Sequence, residues 1–336
     1  MTIETRVDST LMEELNTRRL KLTITPTPLE RLENLSKQLG TEVWIKRDDL
    51  TGFVMGGNKT RKAEFLLADA LHEEADVLLT VGAMQSNHAV AIAAASRRLR
   101  KECHLFLSGD VPDLPTANVL LDRLSGANLH FVQRSGDRQQ AMEEFAAKLR
   151  SEGRRTYAIP LGGSNEVGSQ GYVCGFLELL DQLRSLPPKP TKIVFASSSG
   201  GTYAGLLVGK MLAEDANVDL LGIRVDHDPS PENVICDVAN ALTRRVGLKY
   251  EFQPEEVALN PDYVGPGYGV PTEQGMSALR RIWQTEGILL DPVYTAKAMA
   301  GLIDLASRKA LGDARLVFLH TGGSTAVFGC DPKLLT

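Results

Sequence analysis

Paired cysteines are missing from this 336-residue sequence, and so is any histidine pattern that suits a metal. Cys103, Cys174, Cys236 and Cys330 are scattered, never C-x-x-C, and most lie in or beside apolar runs where cysteine acts as a small hydrophobe. None of the six histidines pairs with another or with a cysteine at zinc spacing, so no metal site is expected. No apolar run reaches eighteen residues, which argues against a membrane-spanning helix. There is no long basic run and the net charge is −5, so neither nucleic acid nor an anionic membrane is an expected partner. Small anions stay open, because local backbone donors bind them against an acidic average. The start, "MTIETRVDSTLMEEL", is polar and has no apolar core for secretion, so a cytoplasmic chain is expected. Internal repeats and low-complexity tails are absent as well.

What is present is a strand–helix alternation. "DVLLTVG" (76–82), "CHLFL" (103–107), "NLHFV" and "TYAIPL" read as strands separated by helical patterns, the longest over about 137–152. The rhythm restarts at "KIVFASSS" (192–199) and continues through "DLLGIRV" (219–225) to "RLVFLHTGG" (315–323). Helices are expected over about 231–246, 272–286 and 296–309. The Pro-rich "RSLPPKPTK" between the two halves reads as either a lobe crossing or a long loop. The pattern is α/β: two mostly parallel sheets flanked by helices, with ligands expected in a cleft at the strand ends.

The polar residues after the strands are the informative ones. In "VFASSSGGTYAGL", Ser197, Ser198 and Ser199 end a strand, Gly200 and Gly201 let backbone N–H groups approach an anion, and a helix opens near Thr202. It is neither G-x-x-x-x-G-K-[ST] nor G-x-G-x-x-G, so a nucleoside triphosphate or dinucleotide is disfavoured. In "TVGAMQSNHAVAIAAA", Gln85, Ser86, Asn87 and His88 crowd a second strand–helix turn that suits a carboxylate. "YVGPGYGVPT" carries Tyr263 and Tyr268 on a pinned loop, and "LLDPVYTAKAM" places Tyr294 and Thr295 before a helix. Thr321 ends the last strand. "MGGNKTRKAEFLL" sets Lys59 at the mouth of a helix, where the glycine pair would let a ring approach. A lysine, a phosphate cradle and a carboxylate turn together suit pyridoxal 5'-phosphate, which needs a Schiff-base lysine, an anion site and a partner for its ring nitrogen.

"PTPLERL", "IKRDDLTG", "GGNKTRKAEFL", "GAMQSNH", "GGSN", "GPGYGVP", "LLDPVYTAKAMAGLID" and "HTGG" occur in order from about residue 26 to 325. In these motifs the chain resembles the D-cysteine desulfhydrase and 1-aminocyclopropane-1-carboxylate deaminase family of fold-type II pyridoxal phosphate enzymes. The resemblance implies a large cofactor domain from residues 1–50 and 163–336, and a smaller α/β domain from 51–162. It implies that Lys59 carries the cofactor, that Asn87 contacts the ring hydroxyl, and that the loop from Ser197 to Thr202 holds the phosphate. Tyr294 would stack near the ring and Thr321 would face the pyridine nitrogen, while Ser86 and Tyr268 surround the substrate with Gln85 and His88. A threonine leaves that nitrogen less protonated than a carboxylate would, which suits elimination over transamination.

Two positions separate the branches. The deaminase pattern has Gln after Ser-Asn and Glu after the ring-stacking Tyr; here His88 and Thr295 stand there, as in the desulfhydrase branch. The expected reaction is therefore removal of the Cα proton by Lys59 or a tyrosine such as Tyr268, loss of the β-substituent, and release of pyruvate and ammonia. The deaminase, an L-cysteate sulfo-lyase, and β-replacement or racemase enzymes are the alternatives, with a non-catalytic pyridoxal phosphate binder outside the enzyme class. Two departures bear on the substrate: Ala89, Val90 and Ala91 replace a Val-Arg-Gln-type continuation, and Ser324 and Thr325 replace an Ala-Pro pair. The family habit implies a homodimer.

Overall fold

The two halves of the alternation fold as two separate sheets. The computed structural model describes residues 15, 17–134, 136–214 and 217–335, so most of the polar N-terminal stretch lies outside the described residues. The larger sheet contains β1 (Leu29–Arg31), β2 (Val43–Lys46), β7 (Thr191–Ser197), β8 (Val218–Arg224), β9 (Leu259–Asn260) and β10 (Arg315–Leu319). Its order is β1-β2-β10-β7-β8-β9, parallel throughout except where β1 meets β2. The smaller sheet is fully parallel, with β3 (Val77–Ala83), β4 (Glu102–Ser108), β5 (Asn128–Val132) and β6 (Thr156–Ile159) in the order β5-β4-β3-β6. The middle of β7 is apolar without alternation because both faces are covered: Ile193, Val194 and Phe195 are fully buried.

Ten helices are described: α1 (Glu33–Leu39), α2 (Asn58–His72), α3 (Asn87–Arg98), α4 (Ala117–Ser125), α5 (Arg138–Ser151), α6 (Gln170–Arg184), α7 (Gly201–Ala213), α8 (Pro231–Arg245), α9 (Glu273–Glu286) and α10 (Thr295–Ser307). The sequence reading lacked β1, β2, β9, α1 and α6. Glycines 171 and 175 weaken the helix signal of α6, yet Gly171 is required there: a Cβ would stand 2.4 Å from the Arg61 carbonyl oxygen of α2. With α6 packed against α7 on the larger sheet, the chain crosses between sheets after β6, over residues 160–169. The Pro-rich segment is therefore the loop between α6 and β7. Cys103, Cys174 and Cys236 are buried, Cys330 is partly exposed, and all four are free. Among the described residues no helix is long and apolar enough to cross a membrane, and no cluster of three or more His, Cys, Asp or Glu suits a metal.

Candidate active site

A cleft of about 460 Å³ opens where β7 and β10 end and α2, α3 and α7 begin. Asn58, Lys59, Asn87, Ser197, Thr202 and Tyr294 line it, together with Ser198, Ser199, Gly200 and Thr321. Strand ends and helix N-termini converge there for a topological reason: in parallel sheets every crossover delivers a helix start to the carboxyl edge.

Lys59 sits in the first turn of α2, its amine 3.5 Å from the Gly162 carbonyl. Burial lowers its pKa to about 8. Gly56 and Gly57 do not make room for a ring. They allow backbone to approach backbone, since a Cβ on Gly56 would fall 1.9 Å from the Asp49 carbonyl oxygen and one on Gly57 would fall 2.8 Å from that of Thr321. The α2 start is thereby pressed onto the end of β10, and the Asn58 N–H donates to the Thr321 carbonyl at 3.0 Å. A second amine was not read from the sequence. Lys62, fully buried, donates to the Gly162 carbonyl and to Ser164 Oγ, both at 3.2 Å. Burial and the neighbouring Lys59 push its pKa well down.

The serine turn after β7 leads into α7. Among the described residues the N–H groups of Ser199, Gly200, Thr202 and Tyr203 have no hydrogen-bond acceptor in the chain. Four free donors at a helix start form a site for an anion. Gly201 lies behind this turn and not on the cleft wall: a Cβ there would stand 2.7 Å from both Lys62 Nζ and Ser164 Oγ. Its lack of a side chain lets the Lys62 amine reach the back of the turn. Ser164 Oγ completes that backing, 2.8 Å from Ser199 Oγ and accepting the Gly201 N–H at 3.2 Å.

At the α3 start, the four residues of the second turn divide. Asn87 lines the cleft; Gln85, Ser86 and His88 do not. Ser86 caps α3, its Oγ accepting the Ala89 N–H at 3.1 Å, while the N–H groups of Asn87 and His88 have no acceptor among the described residues. Gln85 Oε1 accepts the Asn118 N–H at 2.8 Å. The His88 ring is buried behind the wall, Nε2 bonded at 2.9 Å to Thr80 Oγ1. Because the Thr80 hydroxyl donates onward to the Ile159 carbonyl, His88 Nε2 must be the donor and Nδ1 the bare nitrogen, which has no partner. Burial, then the charges of Lys59 and Lys62, hold this ring well below the usual histidine range and so neutral.

Tyr294 lines the cleft, and its hydroxyl is joined by a short hydrogen bond to that of Tyr268, which is 43% exposed and not among the lining residues, the two rings meeting edge to face. Burial raises both pKa values. Two groups not singled out in the sequence hold these tyrosines. Lys297 donates to the Val264 and Gly267 carbonyls at 2.7 and 2.9 Å, pinning the Tyr268 loop. Asp291, fully buried, accepts the N–H groups of Val293, Tyr294 and Thr295. Thr295 bonds back to Asp291 at 2.7 Å and so serves the α10 start. Tyr263 points elsewhere, to Asp304 at 2.5 Å. The Thr321 side chain faces the cleft without a hydrogen bond among the described residues.

A lysine with a depressed pKa, a turn of free N–H donors backed by a second amine, and an open threonine hydroxyl fit an aldehyde cofactor carrying a phosphate. The fold and site therefore define a pyridoxal phosphate enzyme of the two-sheet type. A family model described as pyridoxal-phosphate dependent enzyme matches residues 20–322, and the chain belongs to that family. D-cysteine desulfhydrase from Klebsiella pneumoniae (strain 342) is 42% identical over 327 residues, covering 94% of this chain and 97% of that protein. The enzyme of the same name from Serratia proteamaculans (strain 568) is 41% identical over 329 residues, with 94% and 97% covered. Among solved structures, an ACC deaminase homologue is similar at 37% identity and a TM-score of 0.88, covering 96% of this chain and 98% of that one.

Proposed function

We propose that this chain is a carbon–sulfur lyase that converts D-cysteine and water to pyruvate, hydrogen sulfide and ammonia. The observation that carries the reading is the Lys59 amine, lowered to about 8, in one cleft with the free N–H donors of the Ser197–Thr202 turn. Near-full-length similarity to D-cysteine desulfhydrases supports the choice of substrate. When bound, pyridoxal phosphate supplies an electron sink that makes the Cα proton of an amino acid removable.

The residues of this chain supply the rest. The turn of Ser197, Ser198, Ser199, Gly200, Gly201 and Thr202 would hold the phosphate, with Lys62 and Ser164 behind it. Lys59 would hold the aldehyde carbon, and its amine is the base this chain offers to the Cα proton, because burial keeps a usable fraction of it neutral near pH 7. The free N–H groups of Asn87 and His88 receive the substrate carboxylate at the positive end of α3, which Ser86 caps and Gln85 braces. Tyr268 and Tyr294, protonated at neutral pH and sharing a hydrogen bond, close the other side and can give a proton to the departing sulfur. Thr321, at the end of β10, would be the partner offered to the ring nitrogen. The working unit is a cytoplasmic homodimer with the division into 1–50 plus 163–336 and 51–162.

Incubation of the purified protein with D-cysteine, L-cysteate and 1-aminocyclopropane-1-carboxylate separates the readings by product. Equal amounts of sulfide and pyruvate from D-cysteine, well above any product from the other two, are expected. Sulfite from L-cysteate or a four-carbon keto acid as the main product would overturn the substrate.

A further inference from the structure

The side-chain amide of Asn118, on α4, touches neither the cleft nor solvent, being 1% exposed. All of its hydrogen-bonding groups are nevertheless used. Nδ2 donates to the Gln85 carbonyl at 2.9 Å and to Asn87 Oδ1 at 2.8 Å, and Oδ1 accepts the Thr325 hydroxyl at 2.7 Å. The Gln85 backbone carbonyl fixes the direction of the chain of bonds, because it can only accept. Asn118 must therefore turn its NH₂ toward Gln85, which sends its second hydrogen to Asn87. Asn87 must then turn its oxygen toward Asn118 and its own NH₂ away.

Thr325 lies just past the end of β10, in the larger sheet's half of the chain, whereas Asn118 and Asn87 belong to helices α4 and α3 beside the smaller sheet. The Thr325–Asn118 bond thus ties the two halves together next to the cleft. Gly323 belongs to the same arrangement: a Cβ there would press within 3.0 Å of Asn87 Nδ2. A proline at 325 could not make this bond, so the departure from the family's Ala-Pro pair has a structural consequence.

We propose that Asn118 and Thr325 are positioning residues that set the Asn87 amide as a hydrogen-bond donor into the cleft, toward the anionic ring oxygen of bound pyridoxal phosphate. This rests on the proposed function for the identity of the group, and adds what orients the donor and which half of the molecule holds it. Asn118→Asp keeps the shape but cannot donate to Asn87 Oδ1, so the Asn87 amide should turn its NH₂ to the new carboxylate and present oxygen to the ring oxygen. Thr325→Val removes only the hydroxyl, and Thr325→Ser restores it.

The test reads the visible absorbance maximum of the bound cofactor, its pH midpoint, and the cofactor dissociation constant, with thermal melting of each apoprotein alongside. Asn118→Asp is expected to shift the maximum and the midpoint and to weaken cofactor binding about tenfold or more. Thr325→Val should shift both in the same direction by less, and Thr325→Ser should return them to the wild-type values. Should Asn118→Asp not fold, the Val and Ser pair carries the same test. Variants that bind cofactor with wild-type maximum and midpoint, whatever their melting temperatures, would overturn the proposal. A wild-type protein that acquires no chromophore on reconstitution would instead overturn the proposed function on which it rests.

Discussion

Lys59 shows how an ordinary residue type becomes a reactive one. An exposed lysine amine is almost wholly protonated at neutral pH; burial of this one lowers its pKa from 10.5 to about 8. Lowering pH below 8 should therefore slow capture of pyridoxal phosphate by the apoprotein about tenfold per unit, with a plateau above about 8. Stopped-flow absorbance measures this; a rate still rising beyond pH 10 would mean a solvated lysine. Lys59 was legible in the sequence because glycines, an asparagine and a helix start surround it. Lys62 was not. A lysine three residues further along a helix reads as part of a solvated face, and only the fold shows it fully buried behind a turn 140 residues away in sequence, where Gly201 leaves space for its amine. His88 and Gln85 were legible as crowding a turn, but side-chain direction is a tertiary property, and both point away from the cleft wall.

At the scale of elements, α2 is held by a buried charge network as well as by the apolar packing of Ala63, Phe65, Leu66, Leu67 and Ala70. Thr60, Arg61, Lys62 and Glu64 are all buried. Arg61 forms a fork on Asp48, two bonds of 2.8 Å, and a second on Glu178 at 2.9 and 3.0 Å, reaching the loop after β2 and helix α6. Tyr172 adds a bond to Asp48 at 2.7 Å, and Lys46 one to Glu178 at 2.5 Å. Glu64 accepts the N–H groups of Leu22 and Thr23 at 2.8 and 2.7 Å. Burial pushes the Asp48 pKa up, but Arg61, Lys46 and the Thr27 hydroxyl together outweigh it and hold the carboxyl below its usual range. Removing one partner leaves the others charged without compensation in the interior. Arg61→Met should thus cost about 3–5 kcal/mol in chemical denaturation, and a variant as stable as wild type would show that the network carries little. Patterning finds this helix but takes its charged residues for a solvent-facing side, whereas Arg61, Lys62 and Glu64 are buried. A different limit hid α6, whose glycines weaken helix propensity although Gly171 is demanded by close contact with the α2 backbone.

Across the whole molecule, the alternating rhythm was enough to give two mostly parallel sheets, since parallel strands need crossover helices and leave that mark at every step. It did not give the place of crossing. The Pro-rich segment drew attention as a boundary, yet the chain passes between sheets over residues 160–169, and this crossing brings Gly162 and Ser164 under Lys59, Lys62 and the serine turn. The crossing is thus part of the site. The site is made by the meeting of α2, α3 and α7 starts with the β10 end, and every group in the proposed chemistry depends on Lys59 lying at that meeting point. The most direct measurement compares wild type and Lys59→Ala, both reconstituted with pyridoxal phosphate, for visible chromophore and for sulfide and pyruvate released from D-cysteine. Wild type should be coloured and release both products in equal amounts, while Lys59→Ala should lack the wild-type chromophore and release neither above the rate of free cofactor. Substantial turnover by Lys59→Ala, or a coloured wild-type protein that releases neither product, would contradict the account.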